Sequence, residues 1–221
     1  VYASARRPET LAELATAGAR VLTLDVTSEA SMVDAVRVIE GEHGRVGALV
    51  NNAGYSLKGS FLRHDVTEEE ANFDVLCRAV LVLSHAAGNA MRERGHGAIV
   101  NVSSVASFIT SGTYSANKSY VTVFTEGLAA ELRGSGVTAT ALCPGFTHTE
   151  FHQRANVDMS SIPDFLWLDA DRLVRDCLDD VAKGRVVSVP GPQYKAIVAA
   201  LRVLPRSVVR RRAGSVHRPK K

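Results

Sequence analysis

The stretch 101–119 contains a serine pair, a tyrosine, and a lysine four residues after that tyrosine. On a helix, residues four apart lie on the same face, so Tyr114 and Lys118 would project side by side. A cation beside a phenol favours the phenolate, which predicts a Tyr114 pKa below its usual value of about 10. The alternative is a surface helix that carries an unrelated Tyr and Lys, and this pair taken alone favours that alternative.

The elements that must position this pair follow a regular alternation of strands and helices. Apolar, β-rich runs predict strands over residues 1–4, 20–24, 48–51, 98–102, 137–142 and 186–189. Helical patterns predict helices over residues 8–17, 28–40, 67–94, 113–133 and 169–182, and a last helix from about residue 193. Gly41 is expected to end the second helix, and a capping box at Thr67 and Glu70 to begin the third. The alternation is typical of an α/β fold with a doubly wound parallel sheet.

Several predicted strands end in polar or charged motifs. Arg6-Arg7, Asp25-Val26, the Asn-Asn-Ala-Gly run at 51–54, and Ser103-Ser104 each follow a strand. In doubly wound sheets, ligands bind beyond the carboxyl ends of the strands. Each motif alone is common, but all four at one edge of a sheet favour a ligand site there.

The composition is that of a soluble globular protein, with 46% apolar and 22% charged residues among 221. No apolar run approaches the roughly 20 residues of a membrane-spanning helix. The three cysteines are widely spaced, which favours a reduced, cytoplasmic setting without a disulfide framework or zinc site. His148 and His152 have helical spacing but lack an acidic third ligand, so we predict no metal site.

The C-terminal region differs in charge from the rest of the chain. Residues 181–221 carry 11 Lys and Arg and no Asp or Glu. We predict a single domain over residues 1–192 and a basic amphipathic tail over 193–221. Such a helix can lie on an anionic membrane surface, whereas the alternative is a packed helix followed by a solvated end. Interleaved aromatics and nucleic-acid-binding motifs are missing, so nucleic acid is not a predicted partner.

Five motifs occur in the order found in the short-chain dehydrogenase/reductase family, which residues 1–150 resemble. They are Asp-Val at 25–26, NNAG at 51–54, NVSS at 101–104, YSANK at 114–118 and PGFTHT at 144–149. The region 163–193 is similar, less specifically, to a bacterial subgroup that includes lipid-directed ketoreductases. The resemblance implies a Rossmann-like fold and an NAD(P)-dependent oxidoreductase that reduces a ketone or aldehyde to an alcohol.

By this resemblance, three residues carry the chemistry. Tyr114 is implied as the general acid/base, Lys118 as the group that lowers its pKa and holds the nicotinamide ribose, and Ser104 as a hydrogen-bond donor to the carbonyl. A carbonyl that becomes an alkoxide needs a proton donor in place, which suits this division of roles. The hydride itself comes from the cofactor.

The resemblance also implies contacts to the dinucleotide. Asp25 and Val26 are assigned to the adenine; the remaining contacts are Asn52, Ala53 and Gly54 at the ribose, and Pro144, Gly145 and Thr149 at the nicotinamide. Arg6 and Arg7 follow the first predicted strand, where NAD-binding folds place an acid and an Arg accommodates a 2′-phosphate. We therefore predict NADP(H) over NAD(H), with solvated loop charges as the alternative.

Two departures from the family pattern leave a second interpretation open. The chain begins at Val1, so we expect about 20–35 further residues upstream with a strand and a TGxxxGxG-type turn. Leu76 stands where the family commonly has an Asn that supports a proton relay, and Asn72 lies one helical turn away. The alternative function is a catalytically silent dinucleotide-binding or scaffold protein, or an inactive fragment.

The expected substrate is small and hydrophobic. Residues 151–168 contain Phe151, Ile162, Phe165, Leu166 and Trp167 and no cluster of Lys or Arg. An apolar site with few polar groups suits a hydrophobic carbonyl compound or alcohol. We predict that residues 150–170 cover this substrate, although Trp167 could equally be a core anchor. A homo-oligomer and peripheral membrane contact through the basic tail stay open.

Overall fold

A computed structural model describes residues 1–57, 59–149 and 162–210, and the chain forms two compact units. The first unit is Val1–Gly47 and the second is Ala48–Lys221. The predicted single domain over 1–192 stays a prediction. Residues 150–161 of the predicted substrate cover and 211–221 of the predicted tail lie outside the described residues.

The first unit contains two parallel strands and two helices. Its elements are β1 (Tyr2–Ala5), a 3-10 turn (Pro8–Leu11), α1 (Ala12–Thr16), β2 (Arg20–Thr23) and α2 (Glu29–His43). Tyr2 pairs with Arg20, and both side chains bond to Glu42 on α2, which ties the helix to the strands. Gly41 does not end α2 as predicted, because Gly44 supplies the left-handed conformation (φ 71°) that ends it.

The second unit contains a four-stranded parallel sheet with helices between its strands. The strands are β3 (Ala48–Asn51), β4 (Gly97–Val102), β5 (Val137–Leu142) and β6 (Val187–Ser188), in that spatial order. The helices are α3 (Val66–Phe73), α4 (Ala79–Arg94), α5 (Gly112–Glu131), α6 (Ala170–Ala182) and α7 (Pro192–Val203). Short 3-10 turns lie at Phe61–Arg63, Val105–Phe108 and Asp164–Leu166. The predicted α/β class with parallel strands is confirmed.

The strands pair as two separate sets, β1 with β2 and β3 through β6.

Both faces of the four-stranded sheet are covered. Side chains of consecutive strand residues point to opposite faces, so Ile99 and Val100 on β4 enter different clusters. Ile99 packs with Met91 of α4 and Leu132 after α5. Val100 belongs to the cluster of α6 and α7, which contains Leu173, Cys177, Tyr194 and Val198. The predicted site residues follow the carboxyl ends of these strands.

Residues 66–94 form one helical run that is interrupted by a wider turn. Asp65 begins α3 by accepting the Thr67 backbone N–H at 2.9 Å, so the predicted capping box at Thr67 and Glu70 is wrong. Asp74–Arg78 between α3 and α4 is a π-helical segment, a feature frequent at functional sites. This segment contains the buried Leu76.

The helix of the predicted tail begins at Pro192 and packs onto the sheet. Tyr194 and Val198 of α7 are buried in the core cluster, and residues 206–210 are helical as well. The first part of this region, α7, therefore agrees with the alternative of a helix packed on the domain. Among the described helices, none combines the length and apolarity needed to cross a bilayer.

Candidate active site

Three strand ends of the second unit bring the predicted residues to one edge of the sheet. Asn51 lies opposite Asn101, and Val102 lies opposite Leu142. The loops that follow these residues therefore begin side by side, and they carry Gly54, Ser104 and Pro144. Helix α5 places Tyr114 and Lys118 against the same edge.

Ser104 and Tyr114 are joined by a side-chain hydrogen bond. The Ser104 Oγ also accepts the Ala106 N–H at 3.1 Å, which begins the 3-10 turn Val105–Phe108 and holds the serine in place. Burial raises the pKa of Tyr114 to about 12, and the bond from Ser104 acts in the opposite direction. The prediction that Tyr114 has a lowered pKa is wrong here, because burial outweighs every stabilisation of the phenolate.

Lys118 is buried beside Tyr114, with 4% of its surface exposed. Its Nζ donates to the Val102 carbonyl at 2.7 Å and lies 5.7 Å from the centre of the Tyr114 ring. Burial lowers the pKa of Lys118 to about 8, against an opposite influence of the Cys77 and Cys143 thiols. Tyr114 and Lys118 therefore lie side by side, as their i,i+4 spacing predicted. The Val102 carbonyl at the end of β4 holds the Lys118 amine in place.

Burial of Lys118 predicts a pH dependence of stability. The amine has an ordinary pKa of 10.5 and a folded-state pKa of about 8, so between these values the unfolded chain binds more protons. Lys118 should therefore contribute a rise in the free energy of unfolding from about pH 8 to 10. The buried Cys77 and Cys177 thiols, whose pKa burial raises to about 11, contribute a fall above about pH 9. Lys118→Met should lack this rise in urea denaturation, whereas Lys183→Met, at an exposed lysine, should keep it. Equal slopes for the wild type and Lys118→Met would contradict the prediction.

Gly54 allows the chain backbone to lie close to Leu76 and Lys118. A Cβ at this position would lie 2.9 Å from Leu76 Cδ2 and 3.8 Å from Lys118 Nζ. Only glycine fits the first contact without movement of a buried neighbour. Asn52, Ala53 and Gly54 are exposed, so their backbone is available at the strand edge.

Leu76 and Asn72 occupy different places in the site. Leu76 is 1% exposed and lies directly beneath Gly54. The buried Asn72 donates to the Tyr55 carbonyl at 3.0 Å and accepts from Asn117 Nδ2 at 3.2 Å. Asn72 therefore ties the loop after β3 to α5, next to Lys118. Asn117 was missed by the sequence reasoning, although a polar residue between Tyr114 and Lys118 was a visible signal.

A second set of buried hydrogen bonds holds α5 against β4. Ser103 Oγ donates to the Lys118 carbonyl at 2.8 Å and lies 2.7 Å from Thr122 Oγ1. Asn101 Nδ2 donates to Thr125 Oγ1 at 3.0 Å, and Asn101 accepts from Asn51 at 2.8 Å. These bonds hold the helix that carries Tyr114 and Lys118 in a fixed register with Ser104. Sequence reasoning did not find them.

The Pro144–Thr149 turn follows β5. The Pro144 carbonyl accepts the Val105 N–H at 2.9 Å and lies 3.5 Å from Ser104 Oγ, which connects the turn to the candidate carbonyl-binding serine. Gly145 lies against the Tyr194 ring. Thr149 is exposed at the end of the turn.

The remaining predicted residues lie in the first unit. Arg6 and Arg7 are exposed directly after β1, and Val26 is half-buried after β2. Asp25 accepts from the Thr27 hydroxyl at 2.7 Å and the Thr27 N–H at 2.9 Å, and these bonds lower the pKa of its carboxyl. The Arg6 charge lowers the pKa of Asp25 further, so the two side chains share one edge of the strand pair.

Histidine and aromatic side chains form a separate group beyond β5. The rings of His148 and Trp167 stack with centroids 4.6 Å apart, and Phe146 lies 5.9 Å from Trp167. Within residues 1–57, 59–149 and 162–210, no cluster of three or more His, Cys, Asp or Glu side chains is arranged to hold a metal ion.

Comparisons with known proteins agree with this geometry. The family model for short chain dehydrogenase matches residues 1–160. The short-chain reductase NovJ of Streptomyces niveus is 34% identical over 181 residues, which cover 80% of this chain and 66% of NovJ. Acetoacetyl-CoA reductase of Shinella zoogloeoides is 33% identical over 138 residues, which cover 60% of this chain and 56% of that protein. The chain thus spans less than two thirds of the length of these relatives.

Among solved structures, a short-chain dehydrogenase from Sphingobium yanoikuyae in complex with NADPH is similar to this chain. The similarity covers 100% of this chain and 86% of the Sphingobium yanoikuyae chain. The two share 29% sequence identity and a TM-score of 0.79.

Proposed function

This chain belongs to the short-chain dehydrogenase family, and we propose that it reduces a ketone or aldehyde to an alcohol with NADPH. The observation that carries this proposal is the group formed by Ser104, Tyr114 and Lys118 at the edge of the four-stranded sheet. The tyrosine is hydrogen-bonded to the serine, and the lysine is fixed beside the tyrosine ring.

Each unit carries residues that suit one part of a dinucleotide. Gly54 leaves space beside Lys118 Nζ that a side chain would fill, so the sugar of a nucleotide could approach the amine there. Exposed Arg6 and Arg7 supply guanidinium groups for a phosphate. We infer that Lys118, Gly54 and the Pro144–Thr149 turn hold the nicotinamide ribose and ring, and that Asp25 and Val26 hold the adenine.

Tyr114 is suited to give a proton. Its raised pKa keeps the phenol protonated at neutral pH, so it can donate hydrogen bonds to a carbonyl oxygen together with Ser104. When bound, NADPH supplies a hydride to the carbonyl carbon. The new alkoxide oxygen takes the Tyr114 proton, the phenol O–H bond breaks, and the Ser104 hydroxyl and the Lys118 cation stabilise the resulting phenolate.

The preference for NADPH rests on charge at the end of β1. Two arginines follow the strand, and no acid occurs until Glu9. A 2′-phosphate can form charge-assisted bonds with such a pair, whereas NADH offers no phosphate there. The NADPH bound to the Sphingobium yanoikuyae relative supports the same choice.

The proposed substrate is a hydrophobic carbonyl compound such as an acyl derivative. In the described part of the predicted cover, Phe165 is exposed and Trp167 is half-buried. The name of the Shinella zoogloeoides relative points to an acyl thioester with a ketone. An apolar wall suits such a chain.

NADPH consumption across a panel of carbonyl compounds tests this function. The panel should include short and long β-ketoacyl thioesters, simple ketones and aldehydes, with the full-length protein as enzyme. We expect turnover that increases with the length of the apolar chain.

One observation favours the alternative of a dinucleotide-binding protein without activity. Leu76 places an aliphatic side chain beneath Gly54, where the family commonly has a polar group. NADPH binding without turnover on any member of the panel would support that alternative and contradict a reductase.

We also propose that the C-terminal region contacts anionic membrane. Val203 is 82% exposed, and Leu204 and Val208 are exposed beside Arg206 and Arg210. Basic residues near an anionic surface contribute about 1 kcal/mol each, and the apolar side chains could enter the headgroup region. Membrane contact would bring the enzyme to a surface where hydrophobic substrates gather.

Co-sedimentation with vesicles tests this contact. We expect the protein to bind phosphatidylserine-containing vesicles more than phosphatidylcholine vesicles, and Arg206→Glu/Arg210→Glu to remove the difference. Truncation at Pro192 is unsuitable, because it removes the buried Tyr194 and Val198. Val33→Glu on α2 serves as the control for added negative charge at an exposed valine. Equal binding to both kinds of vesicle would contradict membrane contact and favour a C-terminal region that is surrounded by solvent.

A further inference from the structure

Tyr194 connects three segments of the second unit through one side chain. It lies in the first turn of α7 and is 3% exposed. Its hydroxyl donates to the Leu166 carbonyl at 2.7 Å and accepts the Phe146 N–H at 3.0 Å. A buried hydroxyl is costly to leave unpaired, so the bond that it donates and the bond that it accepts fix the positions of the two backbone segments.

These two segments also pair with each other. The Leu168 N–H donates to the Phe146 carbonyl at 2.8 Å, and the His148 N–H donates to the Leu168 carbonyl at 3.1 Å. Thr147 and Leu168 form a parallel bridge. The result is a short ladder between residues 146–148 and 166–168, and the Tyr194 hydroxyl closes one end of it.

The Tyr194 ring sets the path of the turn after β5. A Cβ at Gly145 would overlap the ring, so the Gly145 backbone lies directly on its face. At the start of α7, a Cβ on Gly191 would lie 2.8 Å from Leu168 Cδ2, where the backbone has φ 84°. Two glycines therefore allow the turn and the helix to approach the ladder closely.

This turn is connected to the candidate catalytic group. Pro144 precedes Gly145, and its carbonyl accepts the Val105 N–H and lies 3.5 Å from Ser104 Oγ. A displacement of residues 144–146 would therefore reach Ser104 as well as the residues assigned to the nicotinamide. Tyr194 itself bonds to backbone atoms of the turn and ladder, on the core side of them.

We propose that Tyr194 is a positioning residue for cofactor binding, an inference that rests on the proposed function. Its hydroxyl and ring hold the Pro144–Thr149 turn in the conformation that receives the nicotinamide end of the dinucleotide. It acts through the backbone of Gly145 and Phe146, and the reacting atoms lie elsewhere.

Tyr194→Phe tests this role, because phenylalanine keeps the ring against Gly145 and removes only the hydroxyl. We expect the dissociation constant and KM for NADPH to rise at least about fivefold, the effect of one lost hydrogen bond, with a smaller change in kcat. The matched control is Tyr120→Phe. The described residues offer the Tyr120 hydroxyl no hydrogen bond, and its ring stacks on Phe124 at 5.8 Å.

A second readout does not depend on the cofactor. Hydrogen exchange of the Phe146 amide, followed without NADPH, should be faster in Tyr194→Phe and unchanged in Tyr120→Phe. Circular dichroism and the thermal midpoint establish that both variants are folded. Gly145→Ala, which forces a methyl group against the ring, should weaken NADPH binding in the same direction.

The outcomes separate the two proposals. If the wild type binds NADPH and Tyr194→Phe matches Tyr120→Phe in affinity and exchange, the role of Tyr194 is overturned while the proposed function stands. If the wild type binds no NADPH, the proposed function is overturned and the cofactor role of Tyr194 with it. Faster exchange together with weaker NADPH binding supports the proposal.

Discussion

Tyr114→Phe is expected to remove carbonyl reduction while NADPH still binds. The variant keeps the ring beside Lys118 and loses the hydroxyl that is proposed to pass a proton to the alkoxide. General acid catalysis contributes about 10²–10⁴-fold, so kcat/KM should fall by that amount. Steady-state kinetics with the best substrate of the panel, and NADPH fluorescence titration, measure the two quantities separately.

The control for this variant is Tyr120→Phe, six residues along the same helix, which should keep both turnover and binding. Near-normal turnover in Tyr114→Phe would remove the assignment of Tyr114 as proton donor. A parallel loss of NADPH binding would mean that the phenol holds the cofactor instead of the substrate oxygen.

Arg6→Ala/Arg7→Ala is expected to weaken NADPH about 10–100-fold and leave NADH nearly unchanged. Only NADPH carries the 2′-phosphate, and the loss of one charge-assisted bond to phosphate, about 1.5–3 kcal/mol, corresponds to roughly 10–100-fold. KM and dissociation constants for both cofactors measure the effect. A high salt concentration should weaken NADPH binding to the wild type in the same direction.

Arg37→Ala is the control for loss of a surface charge in the same unit, because Arg37 lies on α2 and pairs with Asp34 at 2.6 Å. Equal losses for NADPH and NADH in the Arg6→Ala/Arg7→Ala variant would show that the pair is structural or solvated. The family membership would stand, but the preference for NADPH would not.

Much of the second unit follows from local sequence. The β-rich runs predicted β3 and β5 at the residues where they occur, because runs of Val, Leu and Thr favour extended strands. β5 is buried along most of its length, whereas β3 is largely exposed. Helix ends were less accurate: Asp65 begins α3 instead of Thr67, and α2 continues past Gly41 to Gly44. A cap depends on which side chain meets a free N–H, and neighbouring candidates compete for that position.

The sequence by itself also determined which residues could form a site. The order of the motifs identified the family, and the i,i+4 spacing placed Lys118 beside Tyr114 because helix geometry is local. Strand ends carried Gly54, Ser104 and Pro144 to one edge, since parallel strands end together. These inferences need only the chain order and the period of each element.

Only the tertiary structure decided the electrostatics and the supports of that site. The sequence predicted a lowered Tyr114 pKa from one neighbouring charge, but burial raises it, because desolvation depends on everything packed around the phenol. Lys118 bonds to the Val102 carbonyl, Asn72 to Asn117, and Tyr194 to the turn after β5. These partners lie 16 to 48 residues apart in the chain. No local pattern encodes such contacts, because they exist only once the strands and helices have packed together.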